Sequence, residues 1–343
     1  MNQAVAAPRP YVIAEAGVNH NGQIALARQL VHAAKAAGAD AVKFQTFIPE
    51  IGVLADTPLA EYQKKAMKTE ANTMLEMVRT LALKFEEFEE LNALCGEVGI
   101  DFMSTPFDRP SARLLVGMDL PYIKISSGDL DNFLLLEEVA RSRSQIIIST
   151  GMGTLAEIAA AVDFTLGAGA AGVCLLHCVS SYPAAIEVAN VRAVRTLKEQ
   201  FGLRTGYSDH TTGFAAGCAA VALGAEIVEK HFTLDKAMHG PDHAFSLNPP
   251  EMAQFVALLR ESALSLGDGQ KVCGPEEQEL RTLARRSIHL VHDLPPGTML
   301  TMQDMCAIRP AGGLSPDLAP QLTGRRLRHG LKALHRLAPE DLE

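Results

Sequence analysis

The feature that most constrains the fold of this chain is an alternation of short apolar runs with longer amphipathic segments between residues 11 and 267. The longer segments, such as "QIALARQLVHAAKAAG" and "FEEFEELNALCGEVG", have helical periodicity, and several end in glycine, which commonly caps a helix C-terminus. Eight such repeats predict an α/β fold, a parallel (β/α)8 barrel of the TIM type. The predicted strands are Tyr11–Ala16, Ala41–Phe47, Ile100–Thr105, Tyr122–Ser126, Gln145–Thr150, Gly172–Cys178, Leu203–Ser208 and Glu226–Phe232.

Polar side chains cluster at or just beyond the carboxyl ends of these predicted strands. Barrel enzymes build their active sites at that face, so the pattern predicts a site at the mouth of the barrel. The alternative is that ordinary polar strand ends face solvent. The residues concerned are Glu15, Lys43, Gln45, Ser104, Thr105, Lys124, Ser126, Ser127, Ser149, Thr150, His177, Ser180, Tyr182, Ser208, Asp209, His210, Glu229, Lys230 and His231.

The first strand end is the stretch "EAGVNHNG", Glu15–Gly22, which directly follows the apolar run "YVIA". Burying a carboxylate, two amides and an imidazole is costly, and these groups add little to the packing of a core. We therefore expect this stretch to line a site.

The length of 343 residues exceeds that of an average domain. We expect a barrel domain over residues 1–267, a linker rich in glycine and charge over 268–284, and a small β-rich domain over 285–343. Residues 48–70 form a long connection before the next helix and are expected to be a lid or a mobile loop.

Composition argues against several classes of function. The formal net charge of −9 argues against nucleic acid binding, which needs a basic face. No apolar run approaches the length of a membrane span, no stretch reads as a secretory signal, and the six cysteines show no CxxC spacing. These features predict a cytoplasmic protein with reduced thiols that binds neither nucleic acid nor membrane.

His210 and His231 end adjacent predicted strands, so a barrel would place their imidazoles side by side at its mouth. Two neutral imidazoles suit Mn, Fe, Co or Zn and leave positions open for water and substrate, and such an ion polarises a carbonyl. Asp209 and Glu229 are expected to orient the two rings. The alternative is a pair of hydrogen-bonded core histidines.

The loop "HGPDHAFSL" lies just beyond the eighth predicted strand and is expected to present Asp242 toward the mouth. Asp242 is a candidate to bond sugar hydroxyls or to act as a base. His239 and His243 are weaker candidates for a third metal ligand, because loop histidines are more often solvated or hydrogen-bonded.

Lys43 and Lys124 predict a bound anion. Two inward-facing ammonium groups cannot be buried without counter-charge, and the carboxylates expected inside the barrel are too few to neutralise two lysines and a metal. The stretch "STGMGT" adds hydroxyls and glycines at the start of a helix, an arrangement that binds phosphate. Structural salt bridges are the alternative. The hydroxyl residues concerned are Ser127, Ser149, Thr150 and Ser208.

Nine motifs, in order along essentially the whole chain, resemble those of the sialic acid synthases. They are "IAEAGVNHNG", "AVKFQTF", "FMSTPFD", "YIKISSGDL", "IISTGM", "LLHCVSSYP", "GYSDHTTG", "EKHFTLDKAMHGPDH" and "IRPAGGLSP". The resemblance implies a TIM barrel joined to a C-terminal antifreeze-like (SAF) domain. It implies a transferase that condenses phosphoenolpyruvate with the open-chain aldehyde of N-acetylmannosamine and water, giving N-acetylneuraminate and phosphate.

The resemblance also implies a cofactor and roles for individual residues. A divalent metal, Mn²⁺ first with Mg²⁺ or Co²⁺ as alternatives, would lie on His210 and His231. Glu15 would bond the sugar and help orient water or aldehyde, and Arg309 would reach across a domain-swapped homodimer to the partner's sugar acetamido group. The other implied contacts are Lys43 and Thr105 for the carboxylate of phosphoenolpyruvate, Lys124, Ser127, Ser149 and Ser208 for its phosphate, and Asp242 and Tyr182 for the sugar.

Two positions depart from the family pattern. Ser180 stands where some relatives carry Asn near the phosphate, and Asp129 replaces a common Glu. Both keep a polar group with altered reach, so phosphate binding or substrate preference is in question. N,N'-diacetyllegionaminate synthase, acting on 2,4-diacetamido-2,4,6-trideoxymannose, is the close alternative within the family. A catalytically silent sugar-phosphate binding protein is the alternative from another class.

Overall fold

The computed structural model describes residues 9–61, 63–64 and 73–343. Eight parallel strands form one sheet, and each lies within one residue of its predicted bounds at either end, so the predicted TIM barrel is confirmed. The strands are β1 (Tyr11–Gly17), β2 (Ala41–Thr46), β3 (Asp101–Pro106), β4 (Tyr122–Ile125), β5 (Gln145–Ser149), β6 (Val173–His177), β7 (Arg204–Asp209) and β8 (Ile227–His231).

The hydrogen-bonded strand order is β3-β2-β1-β8-β7-β6-β5-β4, which makes a nearly closed barrel. The register places Glu15 beside Lys43 on one side and beside His231 on the other, and it pairs Ser208 with Glu229. The order of the strands therefore brings side chains that are far apart in sequence to the same end of the barrel.

Helices follow the strands, as the amphipathic segments predict. The helix α4 (Phe85–Val98) is capped by Gly99 in the left-handed conformation, φ 76°, which glycine adopts without strain. In the described part of the barrel unit, the other helices are α1 (Ile24–Ala36), α2 (Pro49–Gly52), α3 (Met74–Leu81), α5 (Arg109–Gly117), α6 (Phe133–Ala140), α7 (Leu155–Gly167), α8 (Ala193–Phe201), α9 (Ala215–Ala222) and α10 (Pro249–Ser265).

Alternation along the strands separates two sets of side chains. Residues facing the helices form the large apolar core, for example Val12, Phe44 and Val228. The inward-facing residues form a second, smaller apolar cluster that includes Ile13 and Ile227. Two residues further along β1 and β8 the inward set becomes charged, with Glu15 and Glu229. The barrel interior is thus apolar below and polar at the carboxyl end.

The strand β1 contains a bulge between Glu15 and Gly17. Gly17 has φ 52°, and a Cβ there would lie 3.2 Å from Glu15 Oε1 and 3.3 Å from the Gln45 amide. A bulge re-aims the side chains beside it, so glycine at this point lets Glu15 and Gln45 share the space above the strand.

The chain divides into two compact units, Met1–Asp268 and Gly269–Glu343. The second unit contains the antiparallel pair β9 (Ser287–Leu290) and β10 (Met305–Ile308). Its own apolar cluster includes Ile288, Leu300 and Leu327. Two helices belong to it, α11 (Gln278–Ala284) and α12 (Ala319–Leu322).

The connection predicted over residues 48–70 is described only in part, because residues 62 and 65–72 lie outside the described residues. Its first part forms the short helix α2, whose Glu50 pairs with Arg79 of α3 at 3.0 Å. Among the described residues, no helix has the length and apolar character needed to cross a membrane.

A pair of glycine substitutions tests the packing of the barrel wall. Gly206 lies in β7, where an added Cβ would overlap the Ile227 carbonyl oxygen and lie 2.7 Å from Leu176 Cδ2. We expect Gly206→Ala to lower the free energy of unfolding by about 1–3 kcal/mol. The matched control is Gly96→Ala in α4, where nothing lies within 4 Å. It should raise the free energy of unfolding by about 0.5–1 kcal/mol. Urea denaturation measures both, and equal effects would contradict the close packing at Gly206.

Candidate active site

A cavity of about 960 Å³ opens at the carboxyl end of the barrel. It brings together all the barrel residues singled out by the family resemblance, whereas Arg309 belongs to the second compact unit, where its Nε donates to Ala284 O. The predicted residues that line the cavity are Glu15, Lys43, Thr105, Lys124, Ser127, Asp129, Ser149, Ser180, Tyr182, Ser208, His210, His231 and Asp242.

A cluster of four buried charges lies in the cavity wall. Lys43 Nζ lies 2.8 Å from Glu15 Oε2 and 3.6 Å from Glu229 Oε2, and Lys124 Nζ lies 3.4 Å from Glu229 Oε1. Each lysine therefore has a carboxylate partner, as the salt-bridge alternative expects. Glu15 and Glu229 offset two positive charges, so the expectation that the internal carboxylates are too few for two lysines and a metal stays a prediction. Glu229 is not an orienting partner of the histidines, because its inward register position places it between the two ammonium groups.

The four groups are unequally compensated. Burial would raise the pKa of Glu229, but Lys124, Lys43 and a hydrogen bond from Ser208 outweigh it and lower that pKa to about 2. Burial likewise opposes the charge of Lys43, yet Glu15 and Glu229 raise its pKa. At Lys124 burial prevails over the single carboxylate and lowers the pKa. Lys124 is thus the less compensated of the two cations.

His210 and His231 lie side by side, with ring centroids 5.6 Å apart. His210 Nδ1 lies 2.6 Å from the Val179 carbonyl oxygen, which can only accept, so this nitrogen carries the proton and Nε2 keeps a lone pair. His231 Nδ1 is buried and has no hydrogen-bond partner among the described residues. Both histidines line the cavity, where His210 Nε2 lies 3.4 Å from Ser208 Oγ and His231 Nδ1 lies 3.7 Å from Asp242 Oδ2.

Burial lowers the pKa of His210, and burial together with neighbouring His210 lowers that of His231 well below its usual value. Both imidazoles are consequently neutral at pH 7, the form that binds a metal ion. Within the described residues no group of three or more His, Cys, Asp or Glu side chains is arranged to hold a metal ion. The pair fits an open site in which water and substrate complete the coordination.

Asp242 lies beside the histidines, with its Oδ2 3.7 Å from His231 Nδ1. Burial and the nearby Glu15 carboxylate raise its pKa to about 7, against a smaller opposing effect of Lys43. Tyr182 packs its ring on that of His210, with centroids 4.3 Å apart. The sugar-contact residues predicted from sequence therefore surround the histidine pair.

Hydroxyl groups of the cavity lining lie near Gly151. The Gly151 N–H donates to Ser127 Oγ at 3.0 Å, and a Cβ on Gly151 would overlap Ser180 Oγ and approach Cys178 Sγ to 2.9 Å. Ser149 Oγ is buried without a hydrogen-bond partner among the described residues. These hydroxyls are placed to contact an anion.

Asp129 is held at the cavity edge by its neighbours. Its carboxylate accepts hydrogen bonds from Ser126 Oγ at 2.7 Å and from Asn132 Nδ2 at 2.9 Å. The shorter side chain at this position therefore organises the turn after β4 while it lines the cavity.

Three strand-end residues predicted near the mouth lie on the other face of the barrel wall. Asp209 pairs with Lys230 at 2.8 Å and does not reach the histidines. His177 Nε2 bonds the Ala189 carbonyl and its ring stacks on Tyr207. The cause is strand alternation, which turns every second side chain away from the cavity.

Two further candidates are also excluded by their partners. The Thr150 hydroxyl donates to the Leu176 carbonyl oxygen at 3.0 Å. His243 bonds Thr233 Oγ1 through Nδ1 at 2.6 Å and Asn21 Oδ1 through Nε2 at 3.2 Å, so both its nitrogens are engaged in a hydrogen-bonded loop. His243 is thus not a third metal ligand.

The expectation for "EAGVNHNG" is only partly correct. Glu15 lines the cavity, but Asn19 and His20 are buried outside it and are 1% exposed. Gln45, predicted among the polar strand ends but given no role of its own, also lines the cavity, and its amide donates to Glu15 Oε1 at 3.2 Å. Its inward position two residues after Lys43 is the signal that points to such a role.

Comparison with known proteins agrees with this geometry. The model of the NeuB family matches residues 30–271. The chain belongs to the NeuB family. Family membership makes it an enzyme of the sialic acid synthase type, as its motifs predict.

Relatives of this NeuB-family chain span nearly its whole length. It is 41% identical to N,N'-diacetyllegionaminic acid synthase of Legionella pneumophila, over 97% of this chain and 94% of the relative. It is 32% identical to N-acetylneuraminate-9-phosphate synthase of Mus musculus, over 92% of this chain and 88% of the relative. The crystal structure of N-acetylneuraminic acid synthetase from Leptospira borgpetersenii superposes with a TM-score of 0.70 at 35% identity, covering 79% of this chain and 90% of that one.

The pKa of Asp242 predicts how the stability of this NeuB-family chain varies with pH. Because its pKa is about 7 in the folded state against 3.8 for the free side chain, the folded state holds a proton that the unfolded state has lost. Stability from this group is complete below pH 4 and is lost as pH rises to 7. The slope is at most about 1.4 kcal/mol per pH unit.

Asp242→Asn removes this titration. With chelator present, the stability of the variant relative to the wild type should therefore increase between pH 4 and 7 and then level off. Urea denaturation across this range measures the difference. A difference that is constant with pH would contradict the raised pKa.

Proposed function

We propose that this enzyme condenses phosphoenolpyruvate with the open-chain aldehyde of an N-acetylated amino sugar. Carbon 3 of phosphoenolpyruvate attacks the aldehyde carbon, whose oxygen takes up a proton. Water adds at carbon 2 and loses a proton, and the tetrahedral intermediate then releases inorganic phosphate and leaves a 2-keto sugar acid. The main observation behind the proposal is that one cavity contains both two lysines and two neutral histidines.

The uneven compensation of the lysines supports an anionic substrate. Lys124 has one carboxylate, at 3.4 Å, and burial lowers its pKa. A phosphate beside Lys124 would supply the missing counter-charge, with hydrogen bonds from Ser127, Ser149 and Ser208. Ser180 lines the same cavity and is a weaker candidate phosphate contact, whereas the Asp129 carboxylate only accepts hydrogen bonds and would weaken phosphate binding.

The other end of phosphoenolpyruvate is assigned to Lys43 and Thr105. Lys43 Nζ donates to Thr105 Oγ1 at 3.2 Å, so an ammonium and a hydroxyl converge on one point. A carboxylate there would accept hydrogen bonds from both.

A divalent metal is part of the proposal, Mn²⁺ first with Mg²⁺ or Co²⁺ as alternatives. His210 and His231 would hold it, and it would polarise the aldehyde as a Lewis acid. Glu15, which contacts Lys43 and Gln45, would orient the attacking water or the aldehyde. Asp242 and Tyr182 would contact the sugar hydroxyls.

For the sugar, 2,4-diacetamido-2,4,6-trideoxymannose is the first candidate. Identity is 41% to the legionaminic acid synthase and 32% to the N-acetylneuraminate-9-phosphate synthase. Apolar side chains also form part of the cavity wall, which favours a sugar with one hydroxyl fewer. These side chains are Val18, Phe47, Ile48, Val53, Met74, Met77, Val78 and Leu81. N-acetylmannosamine, the first choice from sequence, is the second candidate and is supported by the 35% identity to an N-acetylneuraminic acid synthetase structure.

The second compact unit is proposed to be the antifreeze-like domain. Its β9–β10 pair agrees with the predicted β-rich character. In the proposed homodimer, Arg309 of each chain reaches the acetamido group of the sugar bound by its partner. An arginine suits this contact because its planar guanidinium donates several hydrogen bonds.

Phosphate release tests the reaction. The full chain is incubated with phosphoenolpyruvate, Mn²⁺ and each of three sugars, namely 2,4-diacetamido-2,4,6-trideoxymannose, N-acetylmannosamine and N-acetylmannosamine 6-phosphate. We expect phosphate and a 2-keto sugar acid in equal amounts, with kcat/KM at least about 10-fold higher for the diacetamido sugar. A higher value for N-acetylmannosamine would reverse the order of the two candidates.

Metal removal is the second arm of the same assay. Chelation should lower kcat at least about 100-fold, and added Mn²⁺ should restore it. Activity that survives chelation would deny the role of the histidine pair. Absence of phosphate release with all three sugars would overturn the condensation and favour a silent sugar-phosphate binding protein.

A further inference from the structure

The loop that carries Asp242 is fastened to the loop after β1 by buried hydrogen bonds. Asn19 Nδ2 donates to the Phe232 carbonyl oxygen at 2.8 Å and to Ser246 Oγ at 3.0 Å. Ser246 Oγ in turn donates to the carbonyl oxygen of Asp242 at 2.6 Å. A continuous chain of bonds therefore runs from Asn19 to the backbone of Asp242.

A second connection holds the other end of the same loop. Asn21 Nδ2 donates to the His239 carbonyl oxygen at 2.8 Å, and Asn21 Oδ1 contacts His243 Nε2 at 3.2 Å. His243 Nδ1 then bonds Thr233 Oγ1. The two asparagines of the first motif thus hold the loop on both sides of Asp242.

Burial makes the Asn19 connection rigid. Asn19 is 1% exposed and Ser246 is fully buried, so neither can exchange its partner for water. A buried amide whose acceptor moves loses its hydrogen bonds without compensation. The loop consequently has one strongly preferred position for the Asp242 backbone, and through it for the carboxylate in the cavity.

We propose that Asn19 and Ser246 are positioning residues for amino-sugar recognition, acting through Asp242. The inference rests on the proposed function, since it assigns the sugar to the Asp242 side of the cavity. Neither residue lines the cavity, and both act by fixing the position of the Asp242 carboxylate next to His231. The phosphoenolpyruvate contacts lie on other strands and do not depend on this loop.

Steady-state kinetics of Asn19→Ala and Ser246→Ala test the proposal. We expect the KM for the amino sugar to rise about 10-fold while the KM for phosphoenolpyruvate changes less than about 2-fold, because a displaced contact weakens binding of one substrate alone. The matched control is Ser144→Ala, which removes a buried serine bond to the Leu120 carbonyl oxygen next to β5. It should leave both KM values unchanged.

A double-mutant cycle separates positioning from a merely structural role. The affinity for the preferred sugar is measured by calorimetry in wild type, Asn19→Ala, Asp242→Asn and the double variant. If Asn19 acts through Asp242, the double variant binds as weakly as Asp242→Asn alone. Additive losses, or equal increases in both KM values, would overturn the proposal.

These experiments distinguish failure of the positioning role from failure of the proposed condensation reaction. If wild type releases no phosphate with any sugar, the condensation itself is wrong. If wild type is active and the variants keep its sugar KM, only the positioning role is wrong. Circular dichroism checks folding, and Ser246→Ala carries the test if Asn19→Ala does not fold.

Discussion

The buried contact of Glu229 with Lys43 and Lys124 is the interaction on which the rest of the site depends. Two ammonium groups inside a barrel are costly unless carboxylates lie within a few ångströms. Glu229 approaches both, and Glu15 completes the neutralisation of Lys43. The interior can therefore hold two buried cations without a substrate. Of the two, Lys124 is the one whose positive charge is less fully compensated.

Strand register creates this arrangement. Glu15 lies beside Lys43 on β2 and beside His231 on β8, so one carboxylate separates the lysine side of the cavity from the histidine side. The bulge at Gly17 opens the space above it. An anionic substrate beside the lysines and an aldehyde beside the neutral histidines would then meet near Glu15, which is the geometry that a condensation requires.

The sequence predicted the strands closely because each apolar run ends at a change in character. In β1, for example, the inward-facing side chains change from apolar Ile13 to the carboxylate of Glu15, two residues before the strand ends at Gly17. The sequence alone could not settle which of the strand-end residues faces the inside of the barrel. Ser208 lines the cavity while Asp209, one residue later, pairs with Lys230 on the outside. A shift of one residue reverses the face, and only the closed sheet fixes that choice.

Other errors arose from partners that are remote in sequence. Nothing near Lys124 in the chain indicates that Glu229, 105 residues away, lies 3.4 Å from its ammonium group. Likewise Asn19 reads as a cavity residue, whereas its true partner Ser246 lies 227 residues further on. Local pattern predicts that a polar residue is needed at such a place, but tertiary contacts decide what it does.

Phosphoenolpyruvate affinity in Lys124→Met and Glu229→Gln tests the central claim most directly, because the two substitutions should have opposite effects. Calorimetry should give binding at least about 10-fold weaker in Lys124→Met, which loses the cation. Glu229→Gln removes a carboxylate that shares the same ammonium groups, so its affinity should equal or exceed that of the wild type. Unchanged binding in Lys124→Met, or loss of binding in a folded Glu229→Gln, would contradict the account.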